Sequence, residues 1–311
     1  MGIFGRSSDK LSPKDIESYK NKSKPKPLVA ALGSDDPDVR RLASEALVQL
    51  GSVAAEELCF ALKDEKLRKP AQDALVAMGV PAVESLLSRL TFGGEVVKET
   101  LALLGDTAVE SLTSHLANSA HGGEAAIVLW KIATPLASSA LLSYLPSLLE
   151  ELTTRYARKL FQPGSSSKSE LFSALEDKNK REKFTLFGMI CRLIDGAHDP
   201  DGSILGTLLA AVDRSLRPNF GLSETKMFKD SVLYPALKAL GKFDDSRAVN
   251  ALGENLRDED VLLRVAASNA LVEIGAPAVP TLQEALNDPV SQVYASIALQ
   301  KLSEKGTIAG S

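Results

Sequence analysis

The chain is 311 residues long, 44% hydrophobic, 24% charged and only 5% aromatic, with a formal net charge of −4. That apolar share excludes a disordered chain. The acidic balance argues against wholesale nucleic-acid binding, which needs a basic surface.

Two cysteines, Cys59 and Cys191, cannot build a disulfide framework and fit a reducing compartment. The longest apolar stretch, Leu136 to Leu149, is broken by serines and Pro146, so no membrane span is expected. The opening residues hold no apolar core of the length a secretory signal uses, and Arg6 stands where N-myristoylation wants Ser or Thr. A cytoplasmic location is the expectation.

Residues 1–26 carry seven Lys/Arg against three Asp/Glu and predict a basic lead-in with one short helix. Internal repeats begin at residue 27. Pro81-Ala82-Val83-Glu84-Ser85-Leu86 recurs almost unchanged as Thr107-Ala108-Val109-Glu110-Ser111-Leu112, and again as Pro277-Ala278-Val279-Pro280-Thr281-Leu282. Gly51, Gly79 and Gly105 follow one another at intervals of 28 and 26 residues, the period of a two-helix solenoid unit. Within the first unit, Val39, Leu42, Ala43, Ala46, Leu47 and Leu50 trace one face of a helix.

Small residues at Ala43/Ala46 recur as Ala71/Ala74, Ala267/Ala270 and Ala295/Ala298, which lets neighbouring helices approach closely. Asp36, Asp64, Asn118, Asp260 and Asp288 stand as N-caps, with Pro37 and Pro289 in the first turn. Gly51, Gly79, Gly105 and Gly275 are expected to close the helices in the left-handed conformation.

These residues follow the pattern Pro-Ala-Val-x-x-Leu, then Leu-x-Asp, then Val-Arg-x-x-Ala-x-x-Ala-Leu ending in Gly. The pattern resembles HEAT-like repeats of the phycocyanobilin-lyase type and is carried well by residues 27–134 and 246–306. Its Val-Arg element stands as Val39-Arg40, Leu67-Arg68 and Leu263-Arg264, and is lost where Gly94 and Gly122 align with Arg40. The expected fold is all-α, a right-handed α-solenoid of about eight HEAT-like helix pairs with insertions in the central units.

Four regular repeats fill 27–134, two irregular ones 135–245, two regular ones 246–306, and 307–311 form a tail. The irregular part predicts a long helix over 136–161 and an apolar helix over 184–194, with insertions near 162–183 and 214–230. The resemblance covers scaffolds, lyases and hydroxylases. The iron-dependent hydroxylases built on such repeats carry His-Glu dipeptides, and this sequence has none.

No catalytic or metal-binding constellation emerges. His115, His121 and His198 share no ligand spacing, and His115 falls on what should be an exposed helix face. Cys59 and Cys191 read as core thiols, with raised pKa and poor nucleophilicity. Gly93-Gly94 and Gly122-Gly123 open helices, but no strand precedes them and no Lys-Ser/Thr follows, so they read as tight turns. No cofactor is implied.

Superposing the second helices of the units gives a row just beyond the buried stripe: Val48, Val76, Ala102, Trp130, Arg192, Lys238, Val272 and Gln300. Arg41, Lys69 and Lys98 lie beside its first part. In a stacked solenoid this row lines the concave face, giving an apolar strip, a basic edge and an aromatic anchor at Trp130. The expected function is a non-catalytic scaffold or adaptor for a protein partner, contacting it through Arg41, Val48, Lys69, Val76, Lys98 and Trp130. Two alternatives stand beside it. One is a chromophore lyase or cofactor chaperone, which the resemblance permits. The other is a nucleic-acid binder using the basic first three units through Arg40, Arg41, Arg68, Lys69 and Lys98.

Overall fold

The computed structural model describes residues 11–116, 122–160, 178–194, 199, 202–214, 226 and 228–307, without the side chains of 153–160 and 178–183. Among the described residues every regular element is a helix and no strand occurs. The chain divides into two compact units, Met1–Leu141 and Leu142–Ser311.

The first unit begins with α1 (Pro13–Asn21) and α2 (Pro25–Ala31), then alternates α3 (Pro37–Leu50), α4 (Ser52–Ala61), α5 (Arg68–Met78) and α6 (Val80–Leu87). It continues with α7 (Gly94–Leu103), a 3-10 turn at Gly105–Ala108, α8 (Val109–Leu116) and α9 (Gly122–Ile132). Helices α1, α3, α5, α7 and α9 stack successively in one layer, and α2, α4, α6 and α8 in a second. Between the layers runs a continuous leucine seam, with Leu28, Leu47, Leu58, Leu75, Leu86, Leu101, Leu112 and Leu129 all fully buried. Ala43, Ala46, Ala71 and Ala74 are buried as expected, whereas Leu42 and Leu50 are only half-buried.

Three local devices recur at the turns. Asp36 Oδ1 accepts the Asp38 N–H at 2.8 Å and starts α3, as a helix N-cap should. Asp64 and Asp288 accept the same i+2 N–H, from Lys66 at 2.9 Å and Val290 at 2.8 Å. Regular helix begins only at Arg68 and Gln292, so these two open a preceding turn rather than the helix itself. Asn118 lies outside the described residues.

Gly51, Gly79 and Gly275 do adopt positive φ, at 57°, 71° and 89°, but their ψ lies near −134°, −132° and −135°. This is not the left-handed helical region expected from sequence. It is an extended positive-φ conformation essentially confined to glycine. At Gly51 and Gly79 it lets one residue end a helix and start the next.

The third device is the repeat arginine. Arg40 Nη1 donates to the carbonyls of Ser34 and Asp35 at 2.6 and 2.9 Å, and Arg264 Nη1 to those of Asp258 and Glu259 at 2.5 and 3.3 Å. A charged donor thus satisfies carbonyls of the turn that leads into the helix.

A helix at Pro135–Leu160, α10, carries Pro146 in its interior and matches the expected long helix to within a residue. The second unit continues with α11 (Lys178–Leu193), α12 (Ser203–Val212), a π-helical turn at Lys229–Leu233 and α13 (Tyr234–Leu240). Then come α14 (Ser246–Asn255), α15 (Val261–Ile274), a 3-10 turn at Ala276–Ala278, α16 (Val279–Ala285) and α17 (Gln292–Glu304). Helices α11, α13, α15 and α17 stack in one layer, and α12, α14 and α16 in the other.

Asp260 caps α15 through the Leu262 N–H at 2.8 Å, and Ala267, Ala270, Ala295 and Ala298 are buried. Most of the two expected insertions, near 162–183 and 214–230, lies outside the described residues. No described helix is long and apolar enough to cross a membrane.

Candidate interaction surface

In the first unit Val48, Val76, Ala102 and Trp130 sit on four helices that stack as neighbours, and all four are half-buried. Each therefore gives part of its surface to the adjacent helix and part to solvent. In the second unit the corresponding positions diverge: Val272 is buried, while Arg192, Lys238 and Gln300 are exposed.

The basic edge is matched by carboxylates. Arg41 lies 2.8 Å from Glu45 and 3.8 Å from Asp38, and Lys69 lies 2.8 Å from Asp73. Lys98 is half-buried between Glu124 and Glu95. Pairs as exposed as those of Arg41 and Lys69 contribute about 0–1 kcal/mol each, so their role is mainly to neutralise. Arg40 and Arg68 turn toward backbone carbonyls, with Arg68 Nε donating to Leu62 at 3.2 Å.

A second surface escaped the sequence reading. On α15, Val261, Leu262 and Val265 are exposed, and on the neighbouring α17 and the turn before it Val290, Val293 and Ile297 are exposed as well. These six side chains keep between 38% and 62% of their surface in solvent. Aligning the Asp-led turns at Asp260 and Asp288 makes Leu262 equivalent to Val290 and Val265 to Val293. A sequence signal existed, because α15 is apolar on nearly every side rather than along one stripe.

Among the described residues neither cysteine is placed as a nucleophile. Burial pushes the Cys59 thiol up to about 11, against a smaller opposing effect of Arg89, and pushes Cys191 up to about 12. Both are therefore protonated core side chains at neutral pH. His115 is half-buried rather than exposed, with Nδ1 2.8 Å from the Ser111 carbonyl oxygen. His121 and His198 lie outside the described residues. Among the described residues no three His, Cys, Asp or Glu side chains come together as a metal site.

Residues 227–303 match the HEAT-repeats family. The match covers α13 through most of α17, the part of the second unit that carries the exposed apolar face. Solved structures with similar chains include an engineered protein, 19% identical, which covers 94% of this chain and 92% of its own at a TM-score of 0.27. Another is human deoxyhypusine hydroxylase in complex with glycerol, 15% identical over 94% of this chain and 100% of that one, at a TM-score of 0.29. At such scores neither superposition bears on what the HEAT repeats here do. No curated protein matches the sequence.

Proposed function

We propose that this chain is a non-catalytic interaction scaffold that holds a partner protein on the exposed faces of its stacked second helices. Its repeats are of the phycocyanobilin-lyase type, and it works in a reducing cytoplasm where Cys59 and Cys191 remain thiols.

The observation that carries this reading is the apolar face of α15 and α17. Half-exposed Val, Leu and Ile side chains each gain on the order of 1 kcal/mol when a partner removes them from water. Six together on adjacent helices form the kind of contiguous patch that marks an interaction site. In the first unit, Val48, Val76 and Trp130, flanked by Arg41, Lys69 and Lys98, are the proposed contacts. The nucleic-acid alternative is disfavoured by the pairing of Arg41, Lys69 and Lys98 with carboxylates.

Retention of a stoichiometric protein from lysate tests the proposal, with wild type compared against Val265→Asp/Val293→Asp and against Trp130→Ala. The charged pair is expected to lose the partner while keeping its circular dichroism and melting temperature. Unchanged retention by both variants overturns the reading. So does concentration-dependent self-association of the wild type that the charged pair abolishes, because the face would then join two copies of this chain.

A further inference from the structure

The repeat arginine is replaced by Gly94 in the third repeat, and the space it leaves is a pocket. The cavity, about 310 Å³, is bordered by Lys63, Arg68, Arg89, Phe92 and the start of α7 at Gly93 and Gly94. A Cβ built on Gly94 would meet nothing within 4 Å, so the backbone there faces open space. Unlike α3 and α15, α7 has no side-chain cap, and its first turn, Gly94 to Val97, lines this end of the pocket.

The cations around the pocket differ in what they already hold. Arg89 lies 3.9 Å from the Phe60 ring centre and pairs with Glu56 at 3.3 Å, and its buried Nε has no hydrogen-bond partner. Arg68 spends only its Nε on Leu62, whereas Arg40 and Arg264 each spend an Nη on two carbonyls. Both Nη groups of Arg68, and Lys63 Nζ, have no carboxylate partner among the described residues. The one acidic side chain in the lining, Glu95, is held by Lys131. Beside them stands Phe92, 86% exposed, the most exposed large apolar side chain described.

We infer that this pocket receives a carboxylate side chain from an acidic segment of a partner protein. Lys63 and the free Nη groups of Arg68 hold the carboxylate, and Phe92 packs against the apolar part of the same segment. Arg favours a carboxylate because its two parallel N–H groups match the two oxygens. The Glu95 charge in the wall disfavours a doubly charged phosphate more than a singly charged carboxylate. That the segment belongs to a protein partner rests on the scaffold reading above.

The test is a titration of the ¹⁵N-labelled full chain with acetylated hexaglutamate, and separately with inorganic phosphate, reading the amide signals of Gly93 and Gly94. Hexaglutamate is expected to shift both saturably. Its midpoint should rise at least tenfold in Lys63→Ala and in Arg68→Ala, and should rise as salt is added. Lys63 is exposed, so its variant keeps the experiment decisive even where Arg68→Ala disturbs the turn.

Absence of a response to either probe overturns the inference, as does a response unaffected by both variants. A response to phosphate at lower concentration than to hexaglutamate also overturns it, by assigning the pocket to phosphate. The Val265→Asp/Val293→Asp protein is expected to titrate like wild type, so failure of the pocket and failure of the scaffold face are separately visible.

Discussion

The two units use one interior and two exteriors. Aligned on Asp36, Asp260 and Asp288, Asp38 and Arg41 of the first unit correspond to Leu262 and Val265, and to Val290 and Val293, in the second. Glu45 corresponds to Asn269 and Ile297. In the first unit these outward positions pair within their own helix, Arg41 reaching both Asp38 and Glu45. In the second they are mostly apolar and exposed, while ion pairs between repeats occur in both units, as Lys26–Glu57 and Lys98–Glu124 do in the first. Lys229–Asp260 and Arg257–Asp288 join residues 31 apart at 3.1 and 2.6 Å, and Lys242–Glu273 does the same at 2.5 Å. Packing fixes the inward face of a stacked helix and leaves its outward face free to diverge, so the two units differ outside rather than inside.

If the interiors are equivalent, matched core truncations should be equally damaging. Leu47→Ala and Leu271→Ala each remove a fully buried side chain at the same repeat position, and each is expected to destabilise by about 2–5 kcal/mol in urea unfolding. Amide exchange should quicken mainly in the unit that carries the change, because contacts in a repeat array are local. A loss confined to one of the two variants would break the equivalence.

The turns come next in size. Gly51→Ala and Gly275→Ala force a Cβ into a backbone conformation that only glycine tolerates, for an expected loss of about 1–3 kcal/mol each. The arginines separate the repeats more finely. Arg264→Ala removes a charged donor from two carbonyls and should lower stability by about 1–3 kcal/mol, while Arg68→Ala, which gives up one longer bond, should fall at or below about 1 kcal/mol. Equal losses for the two would mean that Arg68 is as fully engaged as its counterpart, and would remove the free Nη groups from the pocket.

The interior was legible in sequence because its determinants are local and periodic. Ala43/Ala46 and their counterparts announce close helix packing, Asp36 and Asp260 announce helix starts, and the glycine spacing announces the unit length. Where the sequence reading failed, the missing quantity was three-dimensional. Composition identifies glycine at a turn but not its ψ. An Asp two residues before an N–H bonds it equally well at a helix start and at a turn, so Asp64 and Asp288 looked like Asp36. Val265 and Val293 carry no mark in sequence, since apolarity alone does not say whether a neighbour covers them. The pocket beside Gly94 was visible only as a lost arginine, and whether that loss is refilled depends on the side chains of Lys63, Arg68 and Phe92 in space.

The smallest expected effect concerns the aspartates of the second unit. Burial acts to raise the Asp260 pKa, but the Lys229 ammonium and the Leu262 and Leu263 N–H groups outweigh it and hold the carboxyl below its usual value. For Asp288 the Val290 N–H, then Arg257, do the same. A carboxyl whose pKa is lowered by folding contributes stability that is complete above its unfolded pKa, about 4, and is lost as pH falls through the folded value. Asp36 in the first unit caps its helix without a cation, so the interaction with Lys229 and Arg257 is specific to the second. Melting curves of wild type and Asp260→Asn/Asp288→Asn should therefore differ at about pH 7 and converge as the pH drops below about 4. A difference that stays constant across that range would mean that the side-chain oxygens act as neutral hydrogen-bond acceptors alone. The 31-residue ion pairs would then join the repeats in space without holding them together.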